Sequence, residues 1–409
     1  MRIRLALLGG LVLLLALALG GWLWRQSREQ AAQPIVIGLL QALTGPMATS
    51  EGALVATVKL AVEELNQGGG LLGRRVELRI EDTRADPATA TQAATRLIRE
   101  QGAVALFGCW TSACRQAVRP IVESQRHLLF YPMAYEGMER SPHIIYTGPT
   151  PNQQVLPAAD WAMSGFGRRV YLLGTDSLAP RRVNAMLREF VQIAGGQVLG
   201  ERYVPLGGTD MAAAMAELVE LKPDLVLNTL AGDSNRALFD ALAAAALTDL
   251  PLLSFAAAEP EMRAYGGGRL DRHFTAWSYL QSLPGAANES FLARLRRSQG
   301  EAAQASDPAV SAYVAVRLWA AAVTEVNSAQ TEAVNANLMQ QVVSAPHGFA
   351  AIDPQTRHLW RPLRIAQVRP DGGLTEVWQL ARHIKPAPWP AFRSTDYWAE
   401  VVARPGGRP

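Results

Sequence analysis

The sequence of 409 residues is poor in cysteine. Its two cysteines, Cys109 and Cys114, cannot supply a framework of disulfides, and no C-x-x-C pattern occurs. Because they stand either side of a predicted strand-to-helix turn, they need not come within bridging distance. We therefore predict that both are small, buried hydrophobic side chains.

The sequence is also poor in charge. Charged residues make up 18% of the chain, and the formal net charge is only +3. The arginines are scattered, and no run of basic residues is interleaved with aromatic ones, so the sequence gives no support to nucleic-acid binding. The hydrophobic fraction of 49% is typical of a folded protein, and the length favours two domains.

Motifs for catalysis are absent. The sequence has no G-x-S-x-G elbow, H-E-x-x-H motif, P-loop or G-x-G-x-x-G loop. The six histidines stand singly, without metal-ligand spacing, so we predict neither a metal nor a cofactor. Glu259 and Glu261 could form a carboxylate pair, but we predict a solvated loop for them. These absences predict a protein that binds its ligand and leaves it unchanged, not an enzyme.

The first conspicuous feature that is present is an apolar run from Leu5 to Trp24, with arginines on both sides. A basic segment followed by an apolar one is typical of an export signal. The run is also long enough to cross a bilayer as a helix. A candidate cleavage site at residues 16–18 would truncate the apolar run early. We therefore interpret residues 1–33 as a signal peptide or an uncleaved anchor in the inner membrane, and favour the anchor.

From residue 34 onward, apolar runs alternate with segments of helical periodicity. Strands are predicted at 35–40, 76–80, 103–107, 128–131, 170–173, 225–228 and 251–255, with helices between them. Later helices are predicted at 308–326 and 331–343, and a closing hairpin at 361–368 and 374–380. Two series of β-α-β alternation predict an α/β protein with two doubly wound parallel-sheet lobes.

Two neighbouring predicted strands end in residues that suit a small ligand. The strand at 103–107 leads into Trp110, Thr111 and Ser112, and the strand at 128–131 ends at Tyr131, two residues before Met133. Ligands of open α/β sheets lie beyond the carboxyl ends of strands, where helix N-termini offer unpaired N–H groups. The alternative interpretation is an aromatic cap that closes the sheet.

Several segments, in this order and spacing, resemble the type I periplasmic binding proteins of branched-chain amino acid and urea transporters. They are residues 43–48, 69–74, 108–112, 130–137, 146–148, 151–154 and 228–235. The likeness is to the branch that binds urea and short-chain amides. It implies two lobes that are joined by a three-segment hinge and close on the solute. Lobe 1 would comprise residues 34–149 and 281–345, and lobe 2 residues 150–280 and 346–409.

The resemblance also implies where the solute binds. Trp110 and Ser112 match an aromatic and a hydroxyl residue of the family, and Tyr131 matches an aromatic residue of the next motif. In lobe 2, Ser177 and Ala179 stand where relatives carry aromatic rings, which predicts a wider pocket. The predicted ligand-binding residues are Trp110, Thr111, Ser112, Tyr131, Met133, Ser177 and Asp233.

The implied function is that of an exported, periplasmic substrate-binding protein. It would capture a small polar solute, such as urea, a short-chain amide or an amino acid, for an ABC permease. The alternative is a membrane-tethered sensor that reports solute occupancy to a sensor kinase. An amidase is disfavoured because no nucleophile–base set is recognisable in the sequence.

Overall fold

The computed structural model describes residues 33–403. The apolar run at residues 5–24, predicted to be a signal peptide or an anchor, lies outside these residues. Within residues 33–403, no helix is long and apolar enough to cross a membrane.

Strands and helices alternate along most of the described chain. The strands are β1 Ile35–Gln41, β2 Val76–Asp82, β3 Leu106–Gly108, β4 Leu129–Tyr131, β5 Ile144–Tyr146, β6 Arg169–Thr175, β7 Gln197–Val204, β8 Leu225–Thr229, β9 Leu252–Ser254, β10 His273–Trp277, β11 Val342–Ala345, β12 Gly348–Ala351, β13 Arg361–Val368 and β14 Leu374–Ile384. The helices are α1 Ala48–Gln67, α2 Pro87–Arg99, α3 Ser112–Ser124, α4 Val155–Phe166, α5 Leu178–Ile193, α6 Ala212–Leu221, α7 Ser234–Ala244, α8 Glu259–Tyr265, α9 Ala286–Gln299, α10 Asp307–Glu325, α11 Thr331–Asn337 and α12 Thr395–Ala403.

The first sheet is entirely parallel, with strand order β2-β1-β3-β4-β5. At its centre, Phe107 of β3 lies beside Phe130 of β4, and their rings stack with centroids 4.8 Å apart. Trp319 of α10 packs edge-on against Phe107. We call this sheet, together with α1, α2, α3, α9, α10 and α11, lobe 1.

The second sheet has the strand order β14-β13-β10-β9-β8-β6-β7. Strands β6 to β10 pair in parallel, whereas β13 and β14 pair antiparallel at one edge. Val170 and Leu172 of β6 pack in a core with Leu225 and Leu227 of β8. We call this sheet, together with α4 to α8 and α12, lobe 2.

The chain passes between the lobes after β5, after β10 and before β13. Near these crossings, Arg361 of β13 binds both carboxylate oxygens of Asp307 of α10, each at 2.7 Å. Both side chains are buried, and Arg361 Nη1 also donates to Ser311 Oγ at 2.8 Å. The predicted α/β architecture of two parallel-sheet lobes is confirmed. The lobe boundaries given above stay a prediction.

The structure differs from the predicted elements in several places. The helix predicted at 331–343 is wrong in its second half, because α11 ends at Asn337 and Val342–Ala345 forms β11. This strand pairs antiparallel with β12, and its β-branched Val342 and Val343 favour an extended backbone. Strands β5, β7, β10 and β12 were not predicted. Strand β7 is half-exposed at the sheet edge, so it lacks the buried apolar run of its neighbours.

The solvated loop predicted for Glu259 and Glu261 is wrong. Both residues begin α8, and both side chains are buried. Glu261 Oε2 accepts a hydrogen bond from the Ala258 N–H at 3.1 Å, and Glu259 Oε1 accepts one from the Gln281 N–H at 3.0 Å. Burial raises the pKa of each carboxyl group to about 7. Glu259 thereby joins the start of α8 to the chain after β10, and Glu261 caps the N-terminus of its own helix.

Candidate solute-binding site

A cavity of about 100 Å³ lies between the lobes, beyond the carboxyl ends of β3 and β4. Lobe 1 contributes Trp110, Thr111, Ser112, Tyr131 and Met133, and lobe 2 contributes Ser177, Leu178, Ala179, Thr229 and Phe255. All of the predicted ligand-binding residues except Asp233 therefore line one cavity.

The lobe 1 wall is the tight turn between β3 and α3. Gly108 has a φ of 109°, and a Cβ there would lie 2.2 Å from the Leu40 carbonyl oxygen, so this turn requires glycine. Thr111 caps α3 by accepting a hydrogen bond on Oγ1 from the Cys114 N–H at 3.1 Å. Helix α3 thus begins at Ser112, on the cavity wall, where its first N–H groups lack carbonyl partners within the helix.

The same turn is closed by a disulfide between Cys109 and Cys114. The two Cα atoms lie 5.5 Å apart, within bridging range, because Cys109 adopts a left-handed conformation with a φ of 60°. The prediction of two unbridged cysteines is therefore wrong, although both side chains are buried as expected. The four residues enclosed by the bridge all line the cavity.

The lobe 2 wall is the start of α5. Ser177 is the N-cap residue of this helix, and Leu178, Ala179 and Pro180 form its first turn. The Ser177 N–H donates to the Thr175 carbonyl oxygen at 2.7 Å, which fixes the chain as it enters the helix. The N-termini of α3 and α5, one from each lobe, therefore meet at one cavity. Both helix ends carry partial positive charge.

The remaining cavity wall is mainly apolar. No Asp, Glu, Lys or Arg side chain from residues 33–403 lines it. Tyr131 donates its hydroxyl hydrogen to the Trp110 carbonyl oxygen at 2.9 Å, and burial raises the pKa of Tyr131 to about 12. Trp110 is only 5% exposed and packs in the lobe 1 core as well as lining the cavity. The two interpretations of this residue, a cap on the sheet and a wall of the site, are thus compatible.

Asp233 lies outside the cavity. Its Oδ1 accepts a hydrogen bond from the Tyr265 hydroxyl at 2.8 Å. Its N–H donates to the Pro46 carbonyl oxygen, in lobe 1, at 3.1 Å. The structure therefore places Asp233 at a contact between the lobes, and the cavity is lined instead by Ala231 from the same turn.

A group of buried charged side chains lies behind the lobe 1 wall. Ser112 Oγ donates to Glu136 Oε2 at 2.6 Å and accepts from Arg115 Nη1 at 2.9 Å. Arg115 also binds Glu136 and Glu139, each at 3.0 Å. Burial alone would disfavour these charges, but the two carboxylates hold the pKa of Arg115 well above its ordinary value. The hydroxyl of Ser112 is therefore occupied, and a solute would meet the backbone N–H groups of this turn.

Sequence reasoning missed Gln154, Thr229 and Phe255 as cavity residues. Gln154 Nε2 donates to the Ala276 carbonyl oxygen at 2.6 Å, which anchors the start of α4 to β10. Gln154 and Thr229 both stand in segments that carry the family resemblance, and this was the available signal for them. Phe255 lies outside those segments, and its available signal was its place at the carboxyl end of the strand predicted at 251–255.

The comparison with known families agrees with this geometry. A family model described as a periplasmic binding protein domain matches residues 35–395. The chain belongs to the periplasmic binding protein family. A curated relative, Leu/Ile/Val-binding protein homolog 6 of Brucella melitensis, is 24% identical over 348 residues, which cover 82% of this chain and 88% of that protein.

Solved structures of similar fold include solute-binding proteins of ABC transporters. One, from Rhodopseudomonas palustris HaA2, superposes with a TM-score of 0.77 at 21% identity, covering 87% of this chain and 99% of that one. Another, from Streptococcus pneumoniae, superposes with a TM-score of 0.74 at 18% identity, covering 87% of this chain and all of the other (100%). The predicted membership of the periplasmic binding protein family is confirmed, and the prediction of a binding protein and not an enzyme agrees with that family. The likeness to the urea and amide branch stays a prediction.

Proposed function

We propose that this periplasmic binding protein captures a small monocarboxylate with a flat, apolar body, and delivers it to an ABC permease. The protein acts outside the cytoplasm, as its family membership implies. Attachment to the inner membrane through residues 5–24 stays part of the proposal, because those residues lie outside the described structure. A sensor kinase as the partner remains the alternative, and no observation favours it.

The observation that carries the proposal is the meeting of two helix N-termini at one uncharged cavity. Unpaired N–H groups at the starts of α3 and α5 suit the oxygens of an anion, and the helix dipoles favour its negative charge. Because no cationic side chain of the described residues lines the cavity, these N–H groups are the means by which the site would hold a carboxylate.

The apolar wall supports a hydrophobic body for the solute. Trp110, Tyr131, Met133 and Phe255 present rings and a thioether to the cavity, and flat ligands pack well against such surfaces. Ser177 and Ala179 lack the rings expected at their positions, which leaves room in the cavity on the lobe 2 side.

The solutes expected from the sequence suit the cavity less well. An amino acid carries an ammonium group, which needs a carboxylate or several oxygen acceptors, and no acidic side chain of residues 33–403 lines the cavity. Urea is neutral, small and wholly polar, so it would leave much of the apolar wall without contact. Among these candidates, the site therefore favours an apolar carboxylic acid over urea, a short-chain amide or an amino acid.

Known structures of similar fold include complexes with an aromatic acid and with an amino acid, and both solutes carry a carboxylate. The Rhodopseudomonas palustris HaA2 protein was solved in complex with p-hydroxybenzoic acid, and the Streptococcus pneumoniae protein in complex with isoleucine. Only the first of these solutes lacks an ammonium group. Since the cavity described here has no acidic side chain, the benzoate class is the better match.

A thermal-shift screen tests this proposal. Benzoate, 4-hydroxybenzoate, leucine, acetamide and urea would each be added to the full-length protein at equal concentration. A solute that binds the native state raises stability by RT ln(1 + [L]/Kd). We expect the aromatic acids to raise the melting temperature and urea not to raise it. Stabilisation by leucine or acetamide, without stabilisation by either aromatic acid, would contradict the proposal.

A further inference from the structure

One buried ion pair joins the two lobes directly behind the cavity. Arg182 of α5, in lobe 2, donates from Nη1 to Glu136 Oε1, in lobe 1, at 3.3 Å. The side chain of Glu136 is fully buried, and that of Arg182 is 8% exposed. Because each residue belongs to a different lobe, the contact can exist only while the lobes are together.

The same carboxylate is connected to the cavity wall. Glu136 Oε2 accepts the hydroxyl hydrogen of Ser112, the first residue of α3, at 2.6 Å. On the other side, α5 starts at Leu178, which also lines the cavity, one helical turn before Arg182. Glu136 and Arg182 therefore link the two helix N-termini that form the opposite walls of the site.

We propose that Glu136 and Arg182 are positioning residues that hold the two cavity walls in register when the lobes close. The inference rests on the proposed function to the extent that solute binding requires the closed arrangement. Solute contacts at Ser112 and Leu178 and the ion pair between Glu136 and Arg182 then stabilise the same closed state. Each therefore strengthens the other.

The surroundings of the ion pair suit a contact that forms and breaks. When Arg182 moves away, Glu136 keeps Arg115 as a partner at 3.0 Å, so its buried charge remains compensated. Arg182 Nη2 donates to the Val402 carbonyl oxygen of α12 at 3.0 Å, which keeps the guanidinium aimed at the other lobe. Arg182 Nε is buried without a hydrogen-bond partner, so the guanidinium is not fully hydrogen-bonded in the closed arrangement.

The structure also provides a reporter of closure that needs no solute. The N–H of Asp233, in lobe 2, donates to the Pro46 carbonyl oxygen, in lobe 1, at 3.1 Å. Separation of the lobes breaks this bond and exposes the amide to exchange with solvent. Hydrogen exchange at Asp233, resolved to the single amide by mass spectrometry, therefore measures how often the lobes separate.

The test compares Arg182→Met with Arg181→Met in the full-length protein, without added solute. Arg181 is the matched control, because it lies next to Arg182 on α5 but pairs with Asp176 within lobe 2, at 2.6 Å. We expect the Asp233 amide to exchange about tenfold faster in Arg182→Met, the effect of losing one charged hydrogen bond. Exchange in Arg181→Met should match the wild type.

Further variants separate a positioning role from a general effect on folding. Arg182→Lys keeps the charge across the lobes and is expected to restore exchange to within about threefold of the wild type. If Arg182→Met does not fold, Arg182→Gln replaces it and is interpreted in the same way. Unchanged exchange in a folded variant that lacks the charge, or equal acceleration in Arg181→Met, would overturn the inference. Neither outcome depends on which solute the protein binds.

Discussion

Ser177 and Ala179 are two small residues of the cavity wall on the lobe 2 side. Both line the cavity at the N-terminus of α5, where the family resemblance implies aromatic rings. The small side chains leave space beside Trp110 and Tyr131 without adding a charge. Under the proposed function, the preference for a bulkier solute would follow from these missing rings.

Ser177→Tyr is expected to shift the preference of the site from aromatic acids towards urea. A ring at this position fills the space that the body of an aromatic acid would occupy, so affinity for 4-hydroxybenzoate should fall at least about tenfold. Affinity for urea should rise, because a small flat solute gains a surface to stack on. Titration calorimetry of both solutes measures the change, with Ser177→Thr as the control of nearly unchanged size. Undiminished binding of the aromatic acid would show that this position does not limit the cavity.

The buried carboxyl group of Glu51 is expected to make the stability of the protein depend on pH. Glu51 lies in the first turn of α1, buried, where Oε2 accepts a hydrogen bond from the Ala42 N–H at 2.6 Å. Burial raises the pKa of Glu51 to about 8, with the nearby Asp82 adding to the rise. Between its unfolded and folded pKa values, the native state binds a proton that the unfolded state has lost. Stability therefore falls as the pH rises towards 8.

The effect of Glu51 on stability is best measured between about pH 6.5 and pH 8. Below this window, buried histidines act in the opposite direction, because burial lowers the pKa of His273 to about 4 from an ordinary 6.5. Across the window, the wild type should lose about 1–2 kcal/mol of unfolding free energy more than Glu51→Gln does. Urea unfolding followed by tryptophan fluorescence at both pH values measures the difference. Equal losses in the two proteins would rule out Glu51 as the source.

At the scale of elements, the turn between β3 and α3 organises the site. The disulfide between Cys109 and Cys114 closes this turn around the lobe 1 wall. In the chain-entropy description, a bridge around so short a loop stabilises the folded protein by about 2 kcal/mol.

The double variant Cys109→Ser, Cys114→Ser is accordingly expected to lose about 2 kcal/mol of unfolding free energy. Reduction of the wild type should reproduce this loss, whereas the double variant should not respond to a reductant. Urea unfolding with and without tris(2-carboxyethyl)phosphine, with thiol counting to verify reduction, makes the comparison. A wild type that is fully reduced yet equally stable would show that the bridge does not support the fold.

The sequence was a good guide to elements whose pattern is local. The buried strand β1 and the hairpin of β13 and β14 were predicted within a few residues, because apolar runs and a turn sequence mark them directly. The disulfide was missed because it depends on the left-handed backbone of Cys109, which no residue pattern announces. The helix prediction ran on into Val342 and Val343 of β11, although β-branched residues favour a strand, because the partner strand β12 that fixes their extended backbone lies further along the chain.

The same limit applies to the site. Trp110, Ser112 and Ser177 could be placed from strand ends and from the family resemblance. The role of Arg182 could not, because nothing in its own helix signals a partner in the other lobe. Sequence reasoning could not predict contacts that arise only when the chain folds.

At the scale of the whole molecule, Arg361 and Asp307 join the lobes beside the chain crossings. The pair is buried and bidentate, and Asp307 Oδ2 also accepts hydrogen bonds from the N–H groups of Ser278 and Tyr279, at 2.9 and 2.8 Å. The carboxylate thus compensates a buried guanidinium and holds the chain where it leaves β10.

Asp307→Asn should destabilise the protein by about 3–5 kcal/mol, because it leaves the charge of Arg361 buried without its counterion. The control is Glu189→Gln, which removes an ion pair to the partly exposed Arg393 and should cost about 1 kcal/mol or less. Urea unfolding of both variants measures the two losses. Similar small losses would mean that the lobes do not depend on this pair.

The proposed function requires the site to select a carboxylate through two helix N-termini and an apolar wall. Titration calorimetry with benzoate and benzamide tests it most directly, because the two solutes share size and shape and differ in charge. Benzoate should bind at least about a hundredfold more tightly, since hydrogen bonds to a charged acceptor are roughly twice as strong as those to a neutral one. Equal affinity for the two, or tighter binding of benzamide, would contradict the account.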